Sequence, residues 1–342
     1  MRKKLFLHIG THKTGTTALQ NFLMVNKRLL RQHDVLVPDS GCVGPRSGHH
    51  NIAWELNDDY RFQRDYGTLD DLCAEISESD CHTVVISSED FEYLYPRPEA
   101  LIAMKRRLND VGCQVEVIVF FREWGGYITS LYAELLKHGL DLTFRAFKKQ
   151  ILDTGVFVMR GNWRFCFHYE MIARGFANVF GKRHVHCNEF EVPIEPKFVN
   201  LIGLQDLESG LERLATANES IDIVAGLALL KLNQKIRDNG IDDRERGRNT
   251  AAILSAVTRA GENAEKMSVP SGWDALRFAV RFRHSKKSLL EQCRISPKPS
   301  HWRGILPYEV RMAKEYLRSR SEIHRLADHA YDTFLASWDR SL

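Results

Sequence analysis

The chain has 342 residues, a formal net charge of +4, and 44% hydrophobic and 27% charged residues. That length suits one large α/β domain with insertions or two modest domains. The mild positive charge does not argue for a nucleic-acid partner but suits an anionic small molecule or polymer, and the composition is that of a soluble globular chain. The N-terminal MRKKLFLHIG starts like a signal peptide. Its apolar stretch is short, is interrupted by His8 and runs into a glycine loop, so it reads as a first strand, Leu5–Ile9, with His8 in the core. Further strands are predicted at Val35–Val37, Thr83–Ser87, Val115–Phe121 and His184–Cys187. The run VEVIVFF has the unbroken apolar character of a strand covered on both faces.

Helical patterns lie between the strands, with Leu19, Phe22, Leu23 and Leu30 on one face and Ile128, Leu131 and Leu135 on another. The alternation predicts an α/β fold: a P-loop-like, mostly parallel sheet flanked by helices. Beyond about residue 205 the strand signal fades. Residues 221–236 and 309–327 read as helices, and 241–251 as a polar mobile loop. A single domain over 1–342 is expected, with a nucleotide-binding core at 1–204 and a largely helical C-terminal third at 205–342. No apolar stretch is long enough for a transmembrane segment. Seven scattered cysteines with no C-x-x-C pair imply reduced thiols, no zinc site and a cytoplasmic setting.

The most informative stretch is HIGTHKTGTTALQ, residues 8–20. Strand, glycine loop and helix together form a phosphate cradle: backbone N–H groups and the helix N-terminus face the anion. Gly10 and Gly15 allow the turn, and Thr16 and Thr17 place hydroxyls on the first helical turn. A Walker loop carries lysine directly after its last glycine, followed by a magnesium-binding Ser/Thr. Here Thr16 stands in that place and Lys13 lies inside the turn. The arrangement suits a nucleotide with a single transferable group on its 5′-phosphate and no metal.

These residues resemble the 5′-phosphosulfate loop of sulfotransferases that use 3′-phosphoadenosine 5′-phosphosulfate (PAPS), in particular a bacterial carbohydrate-type branch. The resemblance implies that His12, Lys13, Thr14, Gly15, Thr16 and Thr17 bind the 5′ end. It also requires an arginine at the end of a later strand and a serine eight residues on, to grip the 3′-phosphate. VIVFFREWGGYITSLYAE supplies Arg122 and Ser130, a guanidinium and a hydroxyl suited to a phosphate. Weaker echoes are YEMIARGFANVFGKRHVHCNEFE (169–191) and the N-x-S start of a helix at Asn218 and Ser220, which also reads as a plain N-cap.

The implied activity is transfer of a sulfuryl group from PAPS to an acceptor hydroxyl, with a glycan as the expected acceptor and PAP as product. Lys13 is expected to stabilise the leaving group. A general base is expected from SGHHN, as His50 or His49, or from Glu89 at the end of VVISSEDF, with His50 ranked first. Arg277, Arg281, Arg283, Lys286, Lys287, Arg294, Lys298 and Arg303 are opposed only by Glu291. They form a solvated basic face or an anion surface. Two rival readings are a P-loop kinase or nucleotidase, and a non-catalytic module that binds a glycan or a partner on the same fold.

Overall fold

A computed structural model of the protein describes residues 2–44, 47–161, 163–212, 221–241, 246, 250–257, 267, 272–285 and 308–338. The chain divides into two compact units. One holds residues 1–122, 155–217 and 282–297; the other holds 123–154, 218–281 and 298–342.

The first unit contains a five-stranded parallel sheet. Its strands are β1 (Lys3–His8), β2 (Val35–Leu36), β3 (Thr83–Ser87), β4 (Cys113–Phe121) and, after a hairpin, β7 (Val185–Glu189), in the order β2-β3-β1-β4-β7. Leu5 stands opposite Val84 on one side and Val115 on the other; Leu7 stands opposite Ile86 and Val117. The five predicted strands are therefore present and mostly parallel. The helices of this unit are α1 (Thr16–Val25), α2 (Lys27–Gln32), α3 (His50–Leu56), α4 (Leu69–Glu78), α5 (Pro98–Asp110), α8 (Tyr169–Phe180) and α9 (Glu195–Leu201).

Alternate strand residues fill two apolar layers. Phe6, Val85, Ile118 and Phe120 pack with Leu19, Phe22 and Leu23 of α1 and Phe198 of α9. Leu5, Leu7, Val84, Ile86, Val117 and Val119 are also buried, and α5 and α8 pack against β4. Each such side chain contributes about 1.5–3 kcal/mol relative to exposure. The antiparallel hairpin β5 (Val156–Met159) and β6 (Trp163–Cys166) lacks a strong apolar alternation and was not predicted.

The second unit is helical: α6 (Trp124–Lys137), α7 (Phe144–Thr154), α10 (Ile223–Asp238), α11 (Thr250–Val257), α12 (Gly272–Arg281), α13 (Tyr308–Arg318) and α14 (Arg320–Trp338). The helix predicted over 309–327 is two helices that break at Ser319. The polar stretch 241–251 needs a correction. Arg246 within it is fully buried, donating to Asn233 Oδ1 at 3.1 Å and to the carbonyls of Leu136 and Lys137 at the end of α6. A cation at those carbonyls complements the negative end of the helix. Residues 242–245 and 247–249 lie outside the described ones. No helix among the described residues is long and apolar enough to cross a membrane.

Candidate functional site

Because β3 and β4 flank β1 on opposite sides, the chain diverges at the C-terminal end of β1, the place where open α/β sheets form a crevice. The glycine loop lies there. Ile9 and Thr11 donate to the carbonyls of Ile118 and Phe120 at 3.0 and 3.2 Å, tying the loop to β4. Gly10 (φ 81°) and Gly15 (φ 74°) are left-handed, as is Lys13 (φ 60°). A lysine in that region costs on the order of 1 kcal/mol, and such strain collects at functional turns. A Cβ on Gly10 would fall 2.8 Å from Cα and Cβ of Glu89, so only glycine lets the ends of β1 and β3 approach this closely.

The threonines divide their work. Buried Thr14 donates its hydroxyl to the Thr11 carbonyl, bracing the turn from within; Thr16 is buried and Thr17 exposed. The first helical bond runs from Leu19 N–H to Gly15 O at 3.1 Å, so the N–H groups of residues 16–18 precede the helical ladder. Arg122, directly after β4, reaches this loop. Its Nη1 donates to the Lys13 carbonyl at 3.2 Å, and its guanidinium lies 5.7 Å from the Phe190 ring centre. Tyr169 steadies the same segment, donating its hydroxyl to Arg122 O at 2.8 Å and stacking on Phe121 at 4.5 Å.

Beside the loop is a cluster of carboxylates and imidazoles built on β3, the turn after it and α3. Glu92 Oε2 accepts from both the backbone N–H and Nδ1 of His12, at 3.1 and 3.0 Å. The other ring nitrogen of His12 donates to Tyr93 Oη at 2.9 Å. Burial disfavours the charged ring, but hydrogen bonds to Asp90 and Glu92 and their charges outweigh it and push the pKa up to about 10. His12 is thus an imidazolium at neutral pH, turned toward the carboxylates.

Asp90 is the hub. It accepts from Trp54 Nε1 at 2.7 Å and His50 Nδ1 at 3.1 Å, and lies 3.6 Å from Arg61 Nη2. Burial opposes its ionisation, but hydrogen bonds with His12 and His50 and the charge of Arg61 hold its carboxyl well below the ordinary range. Arg61 forks Asp59 at 2.9 and 2.7 Å and lies over Trp54 at 4.6 Å and Trp163 at 4.8 Å. His50 Nδ1 also contacts Ser88 Oγ at 2.8 Å, and its ring stacks on Trp54 at 5.9 Å. Burial lowers its basicity, but Glu89 and Asp90 raise its pKa above the usual value. Glu89 accepts from Gln20 Nε2 at 2.7 Å; although burial opposes it, the charges of His50 and His12 lower its pKa.

His49 is a correction. Its Nδ1 accepts from Ser87 N–H at 3.1 Å and its Nε2 donates to Pro38 O at 3.1 Å. Both nitrogens are committed to main chain, which makes it a buried strut rather than a base. Gly48 supports this packing by allowing the loop to lie against the Ser87 carbonyl and the Gln20 amide.

Desolvation lowers the pKa of His49 to about 4, and that of buried His8 likewise, its Nδ1 lying 2.7 Å from Ser87 Oγ. Both folded values lie below the unfolded 6.5. Their stabilisation is therefore complete above pH 6.5 and lost as pH falls toward 4. Two such groups should make stability fall by on the order of 2–3 kcal/mol per pH unit within that window. Urea midpoints at pH 6.5, 5.5 and 4.5 measure it. His49→Gln should flatten the slope, and a midpoint flat across the range would refute this account. His12 acts oppositely: its contribution is complete below pH 6.5 and fades as pH rises through about 10.

The structure brings Lys13, Arg122, His12, His50 and Glu89 together at one end of the sheet. Ser130 is buried in α6, in the second unit, whose first turn is capped by Glu123 accepting from the N–H groups of Gly125 and Gly126. Asn218, Ser220, Lys286, Lys287, Arg294, Lys298 and Arg303 lie outside the described residues. Asp90, Glu92, Arg61, Trp54 and Tyr93 were not singled out in the sequence. The signal for three of them was SSEDFEY, which places carboxylates at 89, 90 and 92 directly after a strand. Among the described residues no group of three or more His, Cys, Asp or Glu side chains is arranged so that it could hold a metal ion. No protein-family model matches the chain, and no curated protein or solved structure matches it significantly.

Proposed function

We propose that the chain is a PAPS-dependent sulfotransferase that transfers a sulfuryl group to a hydroxyl, with a carbohydrate as acceptor. The observation that carries this reading is the hydrogen bond from Arg122 to the Lys13 carbonyl, at 3.2 Å. It supports a single crevice in which the glycine loop and the strand-end arginine serve one bisphosphorylated nucleotide. The N–H groups at the start of α1 and Lys13 would hold the 5′ end, and Arg122 the 3′-phosphate.

The donor supplies an activated sulfuryl group; the protein supplies position and charge. His50 is the base. Asp90 and Ser88 engage its Nδ1, which leaves Nε2 to take the acceptor's proton as its oxygen bonds to sulfur and the bond from sulfur to the 5′-phosphate oxygen breaks. Lys13 meets the charge that grows on that oxygen. Trp54, stacked beside His50, offers an aromatic wall for a sugar. Calorimetry with PAP in magnesium-free buffer tests the reading. Wild-type protein should bind, and Arg122→Ala should weaken binding roughly 10–100-fold, the worth of a hydrogen bond to a charged group. No binding by wild type, or equal binding by the variant, overturns it.

A further inference from the structure

The basic segment that starts at Arg277 is not used by the proposed chemistry. The helix that carries its first arginines, α12, is apolar on two opposite faces. Asp274, Ala275 and Phe278 face inward, and Asp274 is held by Lys148 of α7 at 2.7 Å. Trp273, Leu276 and Val280, spaced along the opposite face, are 46%, 53% and 59% exposed. A helix apolar on both sides is normally covered on both sides; here, among the described residues, the outer stripe is exposed. Arg277 and Arg281 flank it. Arg281 donates to the carbonyls of Leu152 and Asp153 and so anchors that flank to the end of α7. The buried ion pair fixes the rotation of the helix, so the stripe faces outward by construction.

Two features select the occupant. The stripe spans eight residues, about 10 Å of helix. That is far short of the roughly 800 Å² per partner in a stable protein interface. An interfacial helix needs less: a shallow apolar insertion with a tryptophan, and cations for the headgroups. Charge gives the sign, since from Arg277 to Arg303 the sequence carries basic residues opposed only by Glu291. We infer that the outer face of α12 docks the protein reversibly on an anionic phospholipid surface through Trp273, Leu276 and Val280, with Arg277 against the headgroups.

The test is co-sedimentation of the full chain with vesicles of phosphatidylcholine alone and of equal parts phosphatidylcholine and phosphatidylglycerol, at low and high salt. Binding should be confined to the mixed vesicles and weaken with salt. Arg277→Gln should reduce it roughly fivefold, and Leu276→Ser by about tenfold. Both positions are exposed, so melting and PAP affinity should not change, which keeps this test separate from that of the nucleotide site. Equal binding to both vesicle types, variants that bind like wild type, or a self-associated dimer abolished by Leu276→Ser without vesicle binding would each overturn the inference.

Discussion

Replacing His50 with asparagine should lower PAPS turnover by about 10²–10⁴-fold while PAP affinity is retained. The argument is geometric. Of His12, His49 and His50, the last alone has a nitrogen left to meet an acceptor. His12 commits both nitrogens to Glu92 and Tyr93, and His49 commits both to main chain. Turnover would be followed by release of PAP against a panel of neutral and acidic oligosaccharides. The pH profile gives an independent sign. A base acts when neutral, and carboxylate neighbours raise the pKa of His50. The acid limb of kcat should therefore lie above pH 6.5. Asp90→Asn removes one of those negative charges, so it should move the limb to lower pH. An unchanged limb would mean that Asp90 serves only to hold Trp54 and Arg61, and retention of full activity by His50→Asn would exclude it as the base.

The largest effect on stability should come from Lys148→Met, about 3–5 kcal/mol. Lys148 and Asp274 are 3% and 0% exposed and 2.7 Å apart. Removing the lysine takes the cation away from a carboxylate that is fully buried. The double variant Lys148→Met with Asp274→Leu should recover much of the loss, because a paired replacement leaves no buried charge. Urea unfolding of the full chain, followed by tryptophan fluorescence, separates the outcomes. A single variant within about 0.5 kcal/mol of wild type, the usual range for a surface change, would show that the pair is solvated in solution.

The parallel sheet was legible because its signals are local: apolar runs, glycine turns and helical periodicity. The loop after β1 was equally legible, since Gly10 and Gly15 occupy left-handed positions that few other residues tolerate. What escaped were side chains whose role depends on distant partners. Nothing in the local sequence says that Asp90 receives an indole, an imidazole and a nearby guanidinium from residues 54, 50 and 61. Nor does it separate the neighbours His49 and His50, one turned into the main chain and one toward Asp90. Arg246 shows the same limit: a polar stretch reads as solvated until the carbonyls at the end of α6 come within reach.

The order in which segments contribute to the second unit constrains protein engineering. Asn233 of α10 donates to the carbonyls of Leu136 and Leu140, each at 2.9 Å, and Arg246 caps the same helix end. Those carbonyls belong to residues 123–154, encoded in the middle of the chain. A chimaera that exchanges only the portion after residue 217 would graft foreign helices onto acceptors selected for Asn233 and Arg246. A workable swap has to carry 123–154 along with it, as a two-piece cassette.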